Sequence, residues 1–397
     1  MGQDTFTEKK LFHEQLAFKY FLRLRGNRKP TEEVSQEQLY HILNAAEQRA
    51  ISKIERKALF WAAMYGVLGV LVLYLPYYFF PTLFPQSTFY IGEERFTLGL
   101  VFIVYGFVLV AIELVALSLL NLWAVHRIAD ICQFPPAQDP RHDEYLEALF
   151  IVGMEKKSKK LLNFGINPLA GISKVQLMLY TALFLFKATI SNLLLKIVLR
   201  RLSGRLVIRA YVDLIGIPVF AFWNAYATAL VIKEAKVRIM APTLIEEMSR
   251  YLQQRVAPEE DFRQLIYHTL QIVAMFKRNF HYNHYLLANT LVVDFQIANQ
   301  TYQFLDKITF LSQLRKLEGA AKEGFAKLFV FGMLIDGHIS LQEERVLRQL
   351  YQDGTLLVSP KQVKYWTKQF LKGKGLDEFF ALPFTQEYSE AASFHKH

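Results

Sequence analysis

Residues 58–80 carry no charged side chain and no histidine, and no other feature limits this chain's fold so strongly. The block exceeds the roughly 20 residues a helix needs to cross a hydrocarbon layer. Inside lipid every backbone N–H and C=O must be satisfied within the segment, which restricts a single block to a helix. Its far end, Tyr77-Tyr78-Phe79-Phe80-Pro81, has the aromatic character of a bilayer interface.

A second block, 97–125, is apolar except for Glu113 and a few small polar residues, and ends near Trp123, His126 and Arg127. With residues 86–95 turning the chain back, 58–125 reads as a transmembrane hairpin. Two further blocks, 175–199 and 206–232, are long enough to span, and 175–232 reads as a second hairpin. They hold Lys187 and Lys196 in one, Arg209 and Asp213 in the other. The blocks account for a hydrophobic content of 52%, which a soluble core of amphipathic elements does not require.

Basic residues set the orientation. Those before residue 58, the run Glu155-Lys156-Lys157-Ser158-Lys159-Lys160 and the segment Lys233-Glu234-Ala235-Lys236-Val237-Arg238 all belong in the cytoplasm by the positive-inside rule. That pattern agrees with four crossings and both termini cytoplasmic. Arg200, Arg201 and Arg205 would then lie outside, against the same rule. The competing reading makes 175–232 a re-entrant or water-facing hairpin. The net charge of +10 sits beside the apolar blocks, so it points to anionic lipid headgroups and not to nucleic acid. The opening Met1-Gly2-Gln3-Asp4 lacks a signal-peptide pattern, and Phe6 departs from the myristoylation pattern, so internal helices are expected to enter the membrane.

Outside the blocks the chain reads as helical. Residues 1–57 hold an amphipathic run through Leu11, Leu16, Phe21 and Leu24, closed by Gly26-Asn27-Arg28-Lys29-Pro30. A second helix is predicted from the capping spacing of Ser35 and Gln38, running without a break into the membrane. In the loop 126–174, residues 145–154 are too short to span and read as a packed or interfacial helix. From Pro242 the chain reads as a soluble helical domain within 233–397, with 325–335 a core helix, no strand-period segment, and a loose tail after about Phe384. The expected class is all-α: a polytopic helical membrane protein with a cytoplasmic helical bundle.

The embedded polar set is Glu113, Lys187, Arg209, Asp213 and Asn224. Arg209 and Asp213 stand four apart and can pair on one helix face. Glu113 and Lys187 fall at similar depth and predict an interhelical ion pair. His281 and His284 can share a helix face, but two histidines do not make a metal site. Single Cys132 excludes an intramolecular disulfide framework. The motifs for phosphate loops, dinucleotide binding, serine hydrolysis and zincin chemistry are absent, so no catalytic residue, cofactor or enzyme activity is expected.

One stretch, Leu328-Phe329-Val330-Phe331-Gly332-Met333-Leu334-Ile335-Asp336-Gly337-His338-Ile339-Ser340-Leu341-Gln342-Glu343-Glu344, resembles the helix, Asp-Gly turn and Ser-x-x-Glu helix of TerB-like tellurite-resistance domains. The resemblance implies an all-helical domain with Asp336 and Glu343 at acidic positions associated with divalent metal. Local physics accounts for the same residues: Gly337 for a left-handed turn, Ser340 and Glu343 for a capping box. No second Asp-Gly turn in a comparable setting is seen in 242–380, and the alternating ligands of an EF-hand are missing. A bacterial inner membrane is the implied location. The expected function is a membrane-embedded scaffold whose cytoplasmic helices recruit a protein partner or self-assemble. The alternative is a channel or transporter using Glu113, Lys187 and Asp213.

Overall fold

The computed structural model describes residues 12–25, 43–85, 87–91, 94–154, 160–168, 206–255, 260–297 and 305–385. The described elements are helical apart from one two-stranded ribbon, as an all-α chain requires. They fall into two units. The first comprises Met1–Arg28, Ala50–Ile128 and Lys174–Ile232; the second comprises Lys29–Arg49, Ala129–Ser173 and Lys233–His397.

The first unit contains α1 (Phe12–Arg25), most of α2 (Ala45–Phe79), the ribbon β1 (Ser87–Ile91) and β2 (Glu94–Leu98), nearly all of α3 (Leu100–Ile131), and the first half of α5 (Leu206–Gln253). Helix α2 runs unbroken from its polar start into the uncharged block, as its sequence predicts. It starts at Asn44, whose Oδ1 accepts from the N–H groups of Ala46 and Glu47, while Glu47 accepts from Asn44 N–H at 2.9 Å. This reciprocal cap satisfies donors that the first turn leaves orphaned. Ser35 and Gln38, the predicted cap, lie outside the described residues.

Among the described residues two helices, α2 and α3, are long and apolar enough to cross a membrane. A soluble core helix could pass the same test, but it would be buried. None of the most apolar window of α3 is buried inside the protein. From Leu100 to the first buried side chain, Leu120, is about 30 Å of helix, the thickness of a bilayer's hydrocarbon. Helix α2 buries one narrow face, Ala58, Ala62, Gly66 and Val70, and exposes Phe60, Leu68, Val72 and Phe79. Spacing small residues by four lets backbones meet. A Cβ on Gly66 would stand 2.6 Å from the Phe220 carbonyl carbon of α5, so no other residue fits.

Pro76 sits inside α2 and removes the N–H that would bond the Val72 carbonyl. The Tyr105 hydroxyl of α3 donates to that same carbonyl at 2.7 Å. The ribbon pairs Ser87 with Leu98 and Ile91 with Glu94. It forms the segment at 86–95 that the sequence reads as turning the chain back. Thr88, Phe89, Tyr90, Phe96 and Thr97 favour extended backbone, and only Gly92 and Glu93 separate the runs, a hairpin signal too short to register beside the apolar blocks.

The second unit contains α4 (His142–Gly153), the second half of α5, α6 (Glu260–Lys277), α7 (Tyr282–Asp294), α8 (Lys307–Lys316), α9 (Gly319–Leu334), α10 (Leu341–Gln352), α11 (Pro360–Leu371) and α12 (Asp377–Ala381). Every side chain of α9 from Glu323 to Leu334 is buried, and the helix packs against α6, α8 and α11. A helix buried on all sides belongs at the centre of a bundle, and the two buried charges of α9, Glu323 and Lys327, pair at 3.4 Å. Helix α4 is packed, with Tyr145, Leu146, Leu149 and Phe150 buried. Pro242 does not mark the start of a helix. It lies inside α5, which continues to Gln253 because Ile239, Met240, Ile245 and Met248 are buried there and hold the helix through the proline. Phe384 is buried, and residues 386–397, most of the predicted loose tail, lie outside the described residues.

Candidate functional sites

Of the embedded polar set, Glu113 and Asn224 are brought together. Asn224 Nδ2 on α5 donates to Glu113 Oε1 on α3 at 2.7 Å. The other carboxylate oxygen faces Gly69 of α2, whose Cβ, if present, would lie 3.1 Å from it. Further along the same two helices, the buried Thr228 hydroxyl donates to buried Asn121 at 3.0 Å. Numbers rise in the same sense on both helices, so α3 and α5 run parallel. Lys187 lies outside the described residues. Arg209 and Asp213 fall in the first turns of α5, where side chains are likewise outside the description. Sequence reading missed the Asn121–Thr228 pair because neither residue is ionisable; their polarity inside otherwise apolar blocks was the available signal.

Asp336 and Glu343 meet in the second unit, around a cation supplied by the chain itself. Lys277 Nζ lies 2.8 Å from Asp336 Oδ1 and 2.8 Å from Glu343 Oε1, and also donates to the His338 carbonyl. The three side chains are 3%, 8% and 0% exposed. Burial, the largest influence, works against the ionised form of Asp336, but the Lys277 ammonium together with His284 and His281 holds that carboxyl below its usual range. The local expectations hold: Gly337 has φ +71°, and Ser340 and Glu343 form a complete capping box at the start of α10. The position was predicted, but not Lys277, which lies far away in sequence at the end of α6.

A second Asp-Gly turn does exist, contrary to expectation. Asp353-Gly354 joins α10 to α11, which is capped by Ser359, and Gly354 has φ +76°. Four intervening residues instead of two before the capping serine obscured it. Asp353 is also paired, with Arg315 at 2.6 Å and with Thr355. Among the described residues no group of three or more His, Cys, Asp or Glu could hold a metal ion.

His281 and His284 do not converge on one ligand. His281 caps α7 by accepting from Asn283 N–H at Nδ1, which leaves Nε2 to donate to Glu234, 2.9 Å away. Burial opposes charge on Glu234, yet His281 and then Arg238 together hold its carboxyl well below the ordinary value. Asn283 donates to the carbonyls of Val237 and Ile335, tying α5 to the end of α9. His284 is buried, with Nε2 2.9 Å from the Gly332 carbonyl, and burial lowers its pKa to about 4. The result is a connected polar framework inside a helical bundle.

No family model, no curated protein and no solved structure matches this chain.

Proposed function

We propose that the chain is an integral membrane scaffold subunit, crossing the bilayer four times with both termini in the cytoplasm, whose cytoplasmic bundle recruits a protein partner or assembles with copies of itself. The observation that carries this reading is α5, one helix of 48 residues that begins in the exposed apolar unit and ends as a buried helix of the second.

The parallel course of α3 and α5 supports four crossings. A chain that leaves α3 at its C-terminal end and enters α5 in the same direction must recross between them, and residues 175–199 are the apolar stretch available. Residues 214–232 of α5 carry no charge. Lys57 over the Trp123 ring at 5.4 Å has the cation and aromatic pairing of an interface, and in the sequence Arg56, Arg127 and Lys233 flank the apolar stretches. Anionic headgroups suit that flank, and a bacterial inner membrane suits the whole. A TerB-like second unit fits this picture, with the family's acidic positions Asp336 and Glu343 turned to holding Lys277.

The bilayer assignment has a chemical consequence. Tyr105→Phe orphans the Val72 carbonyl, and in a medium without water this lowers unfolding stability in detergent by about 1–3 kcal/mol. A loss near zero in thermal melts would mean that water reaches this carbonyl, against the assignment.

The partner surface is the exposed side of α10 and α11. Leu341, Tyr351 and Tyr365 are 76%, 46% and 47% exposed, among exposed Arg345, Arg348, Lys361 and Lys368. Glu344 is already engaged by Lys364 and Arg348. A face of this kind suits an acidic partner. The triple change Arg345→Glu, Arg348→Glu and Lys368→Glu should reduce co-purification or self-association at least tenfold without altering the melting temperature by more than about 2 °C, as expected of surface changes. A wild-type protein that is strictly monomeric and brings no partner from native membranes would contradict the scaffold reading.

The second reading, ion or proton movement, draws on Glu113 and Asn224, which place a carboxylate and its donor within the apolar belt.

A further inference from the structure

We propose that Lys53, Lys57 and Arg127 form a binding site for the phosphate of one anionic phospholipid, where α3 leaves the apolar belt. The proposal rests on the membrane reading above and names a lipid contact within it. The register of α2 against α3 places the three cations. Leu73 lies against Gly106, Gly69 against Glu113, and Lys57 over the Trp123 ring, so the two helices run antiparallel. Sixteen residues back along α2, from 73 to 57, match seventeen forward along α3, from 106 to 123. One turn further, Lys53 stands level with Arg127.

Helical spacing keeps these cations on one side. Lys53, Lys57 and Trp61 follow each other at four-residue steps, as Trp123 and Arg127 do on α3, and each such step turns only about 40° round the helix. Lys53, Lys57 and Arg127 are all exposed. Arg56, also exposed, donates to the Ser52 carbonyl, which draws its guanidinium back from the apolar block. Glu55 is half-buried and lies about 160° round α2 from Lys57; Asp130, the next acid on α3, is half-buried as well. Like charges four apart on one helix repel, and Arg127 brings a third to the same level. A phosphate set among them turns that repulsion into attraction, with arginine offering a planar fork of donors and each lysine a point charge.

Depth makes a lipid the source of that phosphate. The uncharged block begins at Ala58, and a headgroup layer about 5–7 Å thick lies outside the hydrocarbon on each side. Lys57 and Lys53 are four residues apart, about 6 Å of helix, so the cations span that layer. Trp61, 43% exposed, stands one turn deeper on the same side of α2, level with the glycerol and first acyl carbons of a lipid bound there. Phosphatidylcholine carries a quaternary ammonium beside its phosphate, a further cation that this site repels. The site therefore selects lipids of net negative charge.

The test is native mass spectrometry of the full chain in a neutral detergent, titrated with phosphatidylglycerol, phosphatidylcholine or inorganic phosphate. The expected result is one phosphatidylglycerol bound at least about tenfold more tightly than phosphatidylcholine and not displaced by excess inorganic phosphate. Lys53→Gln combined with Arg127→Gln should weaken that adduct at least about tenfold. Lys316→Gln combined with Lys374→Gln, which removes two exposed cations of the second unit, should leave it unchanged. The lipid-free melting temperature of the first variant should equal or exceed that of the wild type, because repulsion is relieved. Equal binding of the two lipids, or equal loss in both variants, overturns the site by reducing it to bulk charge. Displacement by inorganic phosphate overturns the lipid as its ligand, and a lower lipid-free melting temperature would assign these cations to holding the fold. Release of the chain from native membranes by alkaline carbonate overturns the membrane reading itself.

Discussion

Lys277→Met is expected to destabilise the second unit by about 3–5 kcal/mol, the cost of removing one partner from a buried ion pair. Methionine replaces most of the lysine stem, so little packing is lost, but Asp336 and Glu343 are left facing each other without the ammonium that lies 2.8 Å from each. The His338 carbonyl loses its donor as well. Hydrogen exchange on the full chain reads this directly: amides of α6, α7 and α10 should lose protection together, while those of α3 keep theirs. Adding Asp336→Asn to Lys277→Met should recover part of the loss, since one uncompensated charge is removed. Unchanged protection in the single variant would mean that the three groups are solvated and that the turn is held by Gly337 and the capping box alone.

Acid should destabilise the same unit in two separable stages. His284 has its pKa lowered to about 4 by burial, against about 6.5 in an unfolded chain. Between those values the unfolded chain binds a proton that the folded chain refuses. The stability associated with neutral His284 is therefore complete above pH 6.5 and is lost as pH falls toward 4, by at most about 3 kcal/mol. Glu234 and Asp336 are displaced downward, so their contributions are complete above their unfolded values near 4 and vanish only below them. The fall between pH 6.5 and 4.5 thus belongs to the histidine. His284→Gln, which can still donate to the Gly332 carbonyl, should flatten the stability curve in that window and leave the steeper loss below pH 4.5. A curve that keeps its wild-type slope in the variant would assign the loss to other groups.

Much of the architecture is legible in the sequence where one strong local rule operates. The absence of charge over 58–80 predicts α2 as a helix that exposes apolar side chains, and Gly337 with Ser340 and Glu343 predicts the turn between α9 and α10. The sequence misleads where tertiary packing overrides a local signal. Pro242 reads as a boundary but sits inside α5, and Pro76 is tolerated because Tyr105 supplies a donor from another helix. The ribbon at 87–98 is hidden because its runs are short and lie between two long blocks. Site residues follow the same division. Glu113 and Asn224 stand out as polar groups in apolar blocks, whereas nothing local connects Lys277 to Asp336 across nearly sixty residues, or Glu234 to His281 across nearly fifty.

The central claim is that the apolar unit crosses a bilayer four times, and one reporter cysteine tests it. The single native cysteine, Cys132, is buried, and burial and then Glu47 push its thiol up to about 12, so a Cys132→Ala background costs little and removes any residual signal. A cysteine placed at Ser203, between the third and fourth apolar blocks, is then exposed to an impermeant maleimide in intact cells. Four crossings predict labelling from outside, with Arg200, Arg201 and Arg205 on that face. Labelling only after permeabilisation would put this turn in the cytoplasm, reduce 175–232 to a re-entrant or cytoplasmic hairpin, and contradict the account.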